Sequence, residues 1–249
     1  MPTVAKFKTA YYLCEFMERQ IKDTLIDWAH KYNDPIYFKE DPIAFPREFA
    51  RRLAQGNASR ADVEIASVLS CHLAWGRRAM IVRDCERMFE EMEWSPYEYV
   101  MSGDYRNEDR SLHRTIKWKD FADICQRLKQ IYTDTTTLEG FSDGDIRTKV
   151  YGQKEDRKAA NKKINMMRRW MVRDDGKVDL GLWTETDKKS LIIPLDVHVY
   201  NQASSLGLTS RKQKDIITAQ EITDAFREIF PDDPCLGDFA LFGYGVTNK

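Results

Sequence analysis

Few features of the 249-residue chain fit a membrane protein or a secreted protein. The five cysteines lie far apart with no Cys-x-x-Cys pair, and their odd number favours reduced thiols in a cytosol. The same spacing argues against a compact zinc or iron–sulfur site. No apolar run approaches the length of about 20 residues that a membrane-spanning helix needs, and the segment from Met1 to Thr9 has no apolar run that could serve as a secretory signal. We therefore expect a cytoplasmic protein without a metal or other cofactor.

The chain also lacks an overall excess of either charge. Lys and Arg number 39 and Asp and Glu number 40, which gives a net charge of −1 at pH 7 and by itself says nothing about nucleic acid. Hydrophobic residues make up 42% of the sequence, which is enough for a substantial core. Apolar residues recur mainly at helical spacing, and Ser59 with Asp62 and Thr218 with Glu221 form capping pairs. The sequence thus predicts an all-α protein.

One segment departs strongly from the overall charge balance. From Arg147 to Arg173 there are ten basic residues and two acidic ones, a net charge of +8 over 27 positions. Such a local excess is typical of a surface that binds phosphates. The alternative is a solvated basic helix that is compensated by the acidic stretch from Asp174 to Asp187.

The basic segment contains an amphipathic helical pattern with a lysine at its edge. Its apolar stripe consists of Ala160, Ile164, Met167 and Met171. On a helical wheel Lys163 falls about 70° from the centre of this stripe, whereas Lys162 points almost the opposite way, with Arg169 and Arg173. We therefore expect Lys163 to be the partly buried lysine. Because burial lowers the pKa of a lysine and only a neutral amine attacks carbon, Lys163 is a candidate Schiff-base nucleophile. Alternatively, its side chain extends past the stripe and keeps the ammonium in water.

A second helical pattern begins 33 residues after Lys163, at Asp196. Asp196 follows Pro194 and precedes a pattern that ends before Gly207, so we predict an N-cap at Asp196 and a C′ glycine at Gly207. His198 falls in the first turn, where backbone N–H groups attract anions, and could hold a phosphate there. In the alternative interpretation Asp196 is only a cap and His198 is an ordinary surface histidine.

A lysine on an amphipathic helix followed by Pro194-Leu195-Asp196-Val197-His198 resembles the catalytic core of the helix-hairpin-helix DNA glycosylase superfamily. The 8-oxoguanine DNA glycosylases are the most similar enzymes. The resemblance extends from about Arg60 to Val246. In detail the chain is most similar to a bacterial family of unknown function that has the same Arg-Trp-Met and Asp-Phe-Ala-Leu-Phe-Gly motifs. The resemblance implies a two-lobed helical fold, with a glycosylase-like domain over residues 60–249 and an N-terminal helical extension over residues 1–59.

The resemblance also implies roles for individual residues. The lysine that attacks the sugar C1′ corresponds to Lys163, or less well to Lys162, the assisting aspartate to Asp196 and a histidine on the DNA backbone to His198. The segment Glu64–Arg78 is similar to the helix pair with which these domains open. Base-pocket residues are then expected at His72, Trp75 and Trp170, and further DNA-binding residues at Arg157, Lys158, Arg169 and Arg173.

Two departures from the superfamily pattern concern the lysine. The glycosylases place a glycine-rich hairpin before it, whose backbone amides grip a phosphate, whereas the segment Gly152–Lys158 has a single glycine. The interval between Lys163 and Asp196 is also longer than in most members.

The expected function is a DNA glycosylase, with or without lyase activity, that acts on an oxidised base in duplex DNA. The alternatives are a nucleic-acid-binding protein that keeps the fold without the chemistry, and a helical scaffold for protein partners.

Overall fold

The computed structural model describes residues 19–247 of the chain. This part is mostly helical, as the sequence predicts. The helices are α1 (residues 19–32), α2 (Ala44–Ala54), α3 (Arg60–Leu73), α4 (Arg78–Glu91), α5 (Pro96–Ser102), α6 (Trp118–Asp134), α7 (Asp143–Asp145), α8 (Lys162–Val172), α9 (Val197–Ser205), α10 (Ile216–Arg227) and α11 (Leu236–Thr247). A single π-helical stretch (Ile146–Val150) continues α7, and 3₁₀ turns occur at Pro35–Phe38 and Lys188–Ser190. Two short strands, β1 (Ser111–His113) and β2 (Ile116–Lys117), form an antiparallel hairpin.

Helix ends follow local capping chemistry. Ser59 and Asp62 form the predicted capping box at the start of α3, each side chain accepting the backbone N–H of the other residue. The prediction that Thr218 and Glu221 form a capping pair is wrong, because α10 begins at Ile216. The carboxylate of Asp215 accepts the backbone N–H of Thr218, which makes Asp215 the N-cap of that helix. None of the helices within residues 19–247 has the length and apolar character needed to cross a membrane.

The larger hydrophobic core surrounds α3, which is buried along almost its whole length and packs against α2 and α8. Glu64 lies inside this core, and its carboxylate accepts hydrogen bonds at 2.8 Å from Tyr132 Oη, the Leu138 N–H and Trp183 Nε1. A buried carboxylate is costly unless it is hydrogen-bonded. The three donors offset that cost and tie α3 to α6 and to two distant loops.

A second, smaller core is built by helices from the two ends of the described chain. Leu25 of α1 packs there with side chains of α9, α10 and α11, which include Ala203, Phe226 and Leu241. α2, by contrast, packs on α3 in the larger core. The boundary after residue 59 stays a prediction, and residues 1–18 of the expected extension lie outside the described residues.

Candidate functional site

A cleft of about 710 Å³ opens where the loop after α3 meets the first turns of α8 and α9. Lys162, Lys163, Asp196 and His198 all line it, and Trp75 forms part of its wall. Residues that the sequence singled out from three separate segments are therefore brought together at one site.

Backbone carbonyl groups at the C-terminal end of α3 accept hydrogen bonds from both lysines. Lys163 donates from Nζ to the carbonyl of His72, and Lys162 donates from Nζ to the carbonyl of Ala74 at 3.3 Å. The last carbonyls of a helix lack intrahelical partners and carry partial negative charge. The C-terminal end of α3 is therefore a site for two ammonium groups, which bring their positive charge to the cleft.

The amine of Lys163 is easier to deprotonate than that of an ordinary lysine. Burial and, secondarily, the positive charge of Lys162 lower the pKa of Lys163 to about 8, while the Cys71 thiol acts in the opposite direction. At pH 7 about one molecule in ten then carries a neutral amine, compared with roughly one in several thousand for an ordinary lysine. This is the condition that a lysine nucleophile requires.

Lys162 also lies in the cleft, which the helical wheel did not predict. It shares one side of α8 with Arg169 and Arg173, as expected, but this side is covered by other parts of the chain rather than exposed to water. Both lysines are consequently partly buried. The expectation that Lys163 is the one partly buried lysine is therefore wrong.

Asp196 is the N-cap of α9, as the sequence predicts, and it uses one carboxylate oxygen for this purpose. Oδ1 accepts the backbone N–H groups of His198 at 2.8 Å and Val199 at 2.9 Å. Oδ2 accepts no hydrogen bond from the residues that the structure describes. The predicted helix stop is also confirmed, because Gly207 follows α9 with a left-handed φ of 74°. His198 is exposed in the first turn of the helix, at the rim of the cleft.

The three expected base-pocket residues occupy different positions. Trp75 lines the cleft, whereas the His72 ring stacks behind its wall on Tyr151, with 4.9 Å between ring centroids. Burial and then the charge of Lys163 lower the pKa of His72 to about 3, so its imidazole is neutral at physiological pH. Trp170 is buried in the larger core and only borders a second cavity.

The second cavity, of about 360 Å³, adjoins the cleft and shares Lys162, Asp196 and His198 with it. Three phenylalanines and two polar side chains contribute to its other walls, namely Phe38, Phe239, Phe242, Gln202 and Asp238. Aromatic walls with a few polar groups suit a flat heterocycle. Sequence reasoning named Trp170 as a base-pocket residue but missed these five wall residues, because they come from widely separated segments.

Arg173 does not reach the surface, and Arg169 is buried apart from its place in the wall of the second cavity, so the expectation that the two arginines form an exposed DNA-binding surface is wrong. Arg173 is fully buried and pairs with Asp233 at 2.8 Å and with Asp179. Arg169 is also buried and pairs with Asp238 and, at 3.3 Å, with Asp179. The chain after α8 and the start of α11 supply these carboxylates. The alternative of a solvated helix compensated by the stretch from Asp174 to Asp187 therefore holds only in part, because Asp179 comes from that stretch while the two arginines are buried and Asp233 and Asp238 lie outside it.

The basic residues before α8 remain open to solvent. Lys158 and Arg157 are exposed in the loop between Gly152 and α8, and Arg157 pairs with Glu155 at 2.9 Å while its side chain stays 89% exposed. Arg147, which sequence reasoning did not single out, lines the cleft and donates to Asn161 Oδ1 at 3.1 Å. The net charge of +8 therefore overstates the charge available to a ligand.

The cleft also contains an acid–base pair that the sequence did not reveal. Asp41, just before α2, faces Arg78 of α4 at 3.5 Å, and both line the cleft and the second cavity. No local pattern marks either residue, since they meet only through the packing of α2 and α4 against α3. Within residues 19–247, no three His, Cys, Asp or Glu side chains are arranged to hold a metal ion.

Fold and site together define a mostly helical protein with two lysines and an aspartate at the junction of three helix ends. A family model described as a protein of unknown function (DUF2400) matches the chain over residues 41–156 and 141–247. Because these matches cover well over half of the sequence, the chain belongs to this family. Comparisons with curated proteins and with solved structures give no match.

Proposed function

We propose that the chain is a DNA glycosylase that excises a damaged, oxidised base by attack of Lys163 on C1′ of the nucleotide. The observation that carries this proposal is the cleft itself. In it, a lysine with a pKa of about 8 lies together with an aspartate whose Oδ2 accepts no hydrogen bond from residues 19–247. Such a lysine is suited to forming a Schiff base with a sugar carbon.

The proposed reaction begins with the neutral amine of Lys163. Its lone pair forms the N–C1′ bond while the glycosidic bond breaks, and the base leaves with the bonding electron pair and takes up a proton. The carboxylate of Asp196 stabilises the positive charge that develops on the sugar. A proton then passes from the lysine nitrogen to the ring oxygen O4′ while the C1′–O4′ bond breaks, which gives a protonated Schiff base and a free hydroxyl group. From this intermediate, β-elimination can break the strand.

The second cavity is the proposed site for the extruded base. A base cannot be reached inside a duplex, so it must leave the stack at a cost of a few kcal/mol. Asp196 and Lys162 line the cavity, and Phe242 is the least buried of its three phenylalanines. Stacking of the base on the Phe242 ring would offset part of the cost of extrusion.

Two features near the lysines support binding of the DNA backbone. The exposed basic loop that contains Arg157 and Lys158 leads directly into α8. The first turn of α8 also has no side-chain cap, because its N-cap Asn161 adopts a left-handed φ of 47° and makes no cap hydrogen bond. Uncapped N–H groups at a helix start attract phosphates.

A borohydride-trapping panel tests the proposal directly. The wild-type protein is incubated with duplexes that carry an oxidised purine, an oxidised pyrimidine, a uracil or an abasic site, and covalent adducts are separated by gel electrophoresis. We expect an adduct with at least one damaged base, loss of this adduct in Lys163→Gln, and its retention in Lys162→Gln. The reverse result for the two variants would assign the attack to Lys162. Tight duplex binding without base release or adduct would favour the non-catalytic nucleic-acid-binding alternative.

A further inference from the structure

The β1–β2 hairpin is fixed to the wall of the cleft through His113. The imidazole of His113 contacts Asp84 Oδ2 at 2.7 Å through Nδ1 and the carbonyl of Trp75 at 2.9 Å through Nε2. His113 and Asp84 are both fully buried. These hydrogen bonds connect the hairpin to α4 and hold it against the backbone of Trp75, at the point where the chain leaves α3.

The next residue, Arg114, contacts the side chain of the same tryptophan. Its guanidinium lies over the Trp75 ring, 4.1 Å from the ring centroid. Gly76 permits this approach, because a Cβ atom there would lie 2.6 Å from Arg114 Nη1. Arg114 also has a left-handed φ of 54°, which is unfavourable for a residue with a side chain by on the order of 1 kcal/mol or more. Arg114 is the first residue of the two-residue turn between β1 and β2, a position at which a left-handed φ is common.

The charge on Arg114 has no counterpart in the part of the chain that the structure describes. Arg114 is exposed and forms no ion pair there, and the same holds for Arg77, which follows Gly76. Lys162 and Lys163 bring further positive charge to the cleft beside Trp75. Cations that gather around one tryptophan repel one another unless an anion is bound. An arginine that stacks on a ring still presents its N–H groups at the edge of the guanidinium plane, where they match the oxygens of a phosphate.

We infer that Arg114 forms a phosphodiester-binding site on the Trp75 side of the cleft. The inference rests on the proposed function, because it requires a DNA strand at the cleft. Arg114 binds a backbone phosphate through its N–H groups while its face remains on Trp75. The hairpin and the loop before α8 then contact the DNA backbone from two different parts of the chain.

The test is the salt dependence of duplex binding, measured by fluorescence anisotropy with a labelled duplex that contains an abasic-site analogue. Each arginine that neutralises a phosphate adds about 0.9 to the slope of log affinity against log salt. We expect Arg114→Gln to weaken binding and to reduce this slope by about 0.9. Arg114→Lys should restore the slope but not the full affinity, since lysine lacks the planar N–H fork. Arg110→Gln, which removes an exposed arginine just before the same hairpin, should change neither quantity.

Arg114→Gly separates loss of binding from loss of folding. Glycine relieves the left-handed strain, so the melting temperature should not fall, while affinity and slope should fall as in Arg114→Gln. An unchanged slope in Arg114→Gln and Arg114→Gly, with a wild-type protein that binds duplex, overturns the inference and leaves the proposed function intact. Conversely, a reduced slope in a protein that never releases a base supports the phosphate site and contradicts the glycosylase activity. A wild-type protein that does not bind the duplex overturns both.

Discussion

Asp196 accepts the backbone N–H of His198 through Oδ1 at 2.8 Å, and the same oxygen accepts the N–H of Val199. One carboxylate oxygen therefore accepts hydrogen bonds from two backbone N–H groups in the first turn of α9. The other oxygen accepts no hydrogen bond from residues 19–247, and the side chain lines both the cleft and the second cavity. Capping of α9 therefore depends on Oδ1, and the proposed role in catalysis depends on Oδ2. Different substitutions of Asp196 can separate the two roles.

We predict that Asp196→Asn keeps the fold and loses base excision. An asparagine side chain caps a helix about as well as an aspartate, so the melting temperature should be nearly unchanged. The amide has no negative charge to stabilise the developing positive charge on the sugar, so single-turnover base release should stop. Asp196→Ala should lose the same activity and, in addition, about 0.5 to 2 kcal/mol of stability. Full activity in Asp196→Asn would leave Asp196 with a structural role alone.

The pKa of Lys163 predicts the pH dependence of adduct formation. Only the neutral amine attacks, so the initial rate of borohydride trapping should rise as the pH increases through about 8 and then level off. Burial is the main cause of the lowered pKa and the charge of Lys162 is the second. Lys162→Gln should therefore shift the profile to higher pH without reaching that of an ordinary lysine.

The matched control for this shift is Arg110→Gln, which removes an exposed positive charge that does not line the cleft. Its profile should coincide with that of the wild type. A trapping rate that does not change between pH 6 and 9 would contradict the assignment of the attack to Lys163.

Local signals allowed much of the helical structure to be predicted. The capping box at Ser59 and the N-cap at Asp196 depend on residues within one turn, so the sequence is sufficient to locate them. The order of Lys163, Asp196 and His198 also predicted residues that meet in the cleft. The glycosylase architecture and the base that is recognised remain proposals, since they depend on more than these local patterns.

Features that depend on distant packing could not be predicted. Arg169 and Arg173 look like surface charges in the sequence, because nothing within α8 shows that Asp179 and Asp233 will fold against them. The hairpin that contains Arg114 has strands of two and three residues, too short for an alternating pattern. In the first case the partners come from segments far away in the sequence. In the second case the strands are too short to show a periodic pattern of apolar residues.

We predict that Arg173→Leu destabilises the protein without changing the salt dependence of DNA binding. The substitution leaves the buried carboxylate of Asp179 without one of its partners, and removal of one member of a buried ion pair typically costs about 3 to 5 kcal/mol. Burial already raises the pKa of Asp179. In the variant the pKa of Asp179 should rise further, because the positive charge of Arg173 is gone. Protonation of this carboxyl at lower pH then removes the buried unpaired charge and restores part of the free energy of unfolding. The loss of stability should therefore be smaller at pH 5 than at pH 8.

Urea denaturation at the two pH values measures this effect, with Arg157→Leu as the control. Arg157 is exposed and its pairing with Glu155 contributes little, so that variant should unfold like the wild type. A reduced salt slope in Arg173→Leu, with stability unchanged, would instead indicate a direct contact with DNA.

The last prediction concerns the exposed basic loop before α8. Because the loop has a single glycine, we expect it to bind phosphates through its side chains rather than through its own backbone amides, and each cation should add about 0.9 to the salt slope. The double substitution Arg157→Ala with Lys158→Ala should weaken binding to damaged and undamaged duplexes alike and reduce the slope by up to about 2. Arg51→Ala, which also removes an arginine from an exposed ion pair but lies outside the cleft, should leave the slope unchanged. If the double variant keeps the wild-type slope, the loop is a solvated surface and the phosphate contacts lie elsewhere, with Arg77 and Arg114 as the next residues to test.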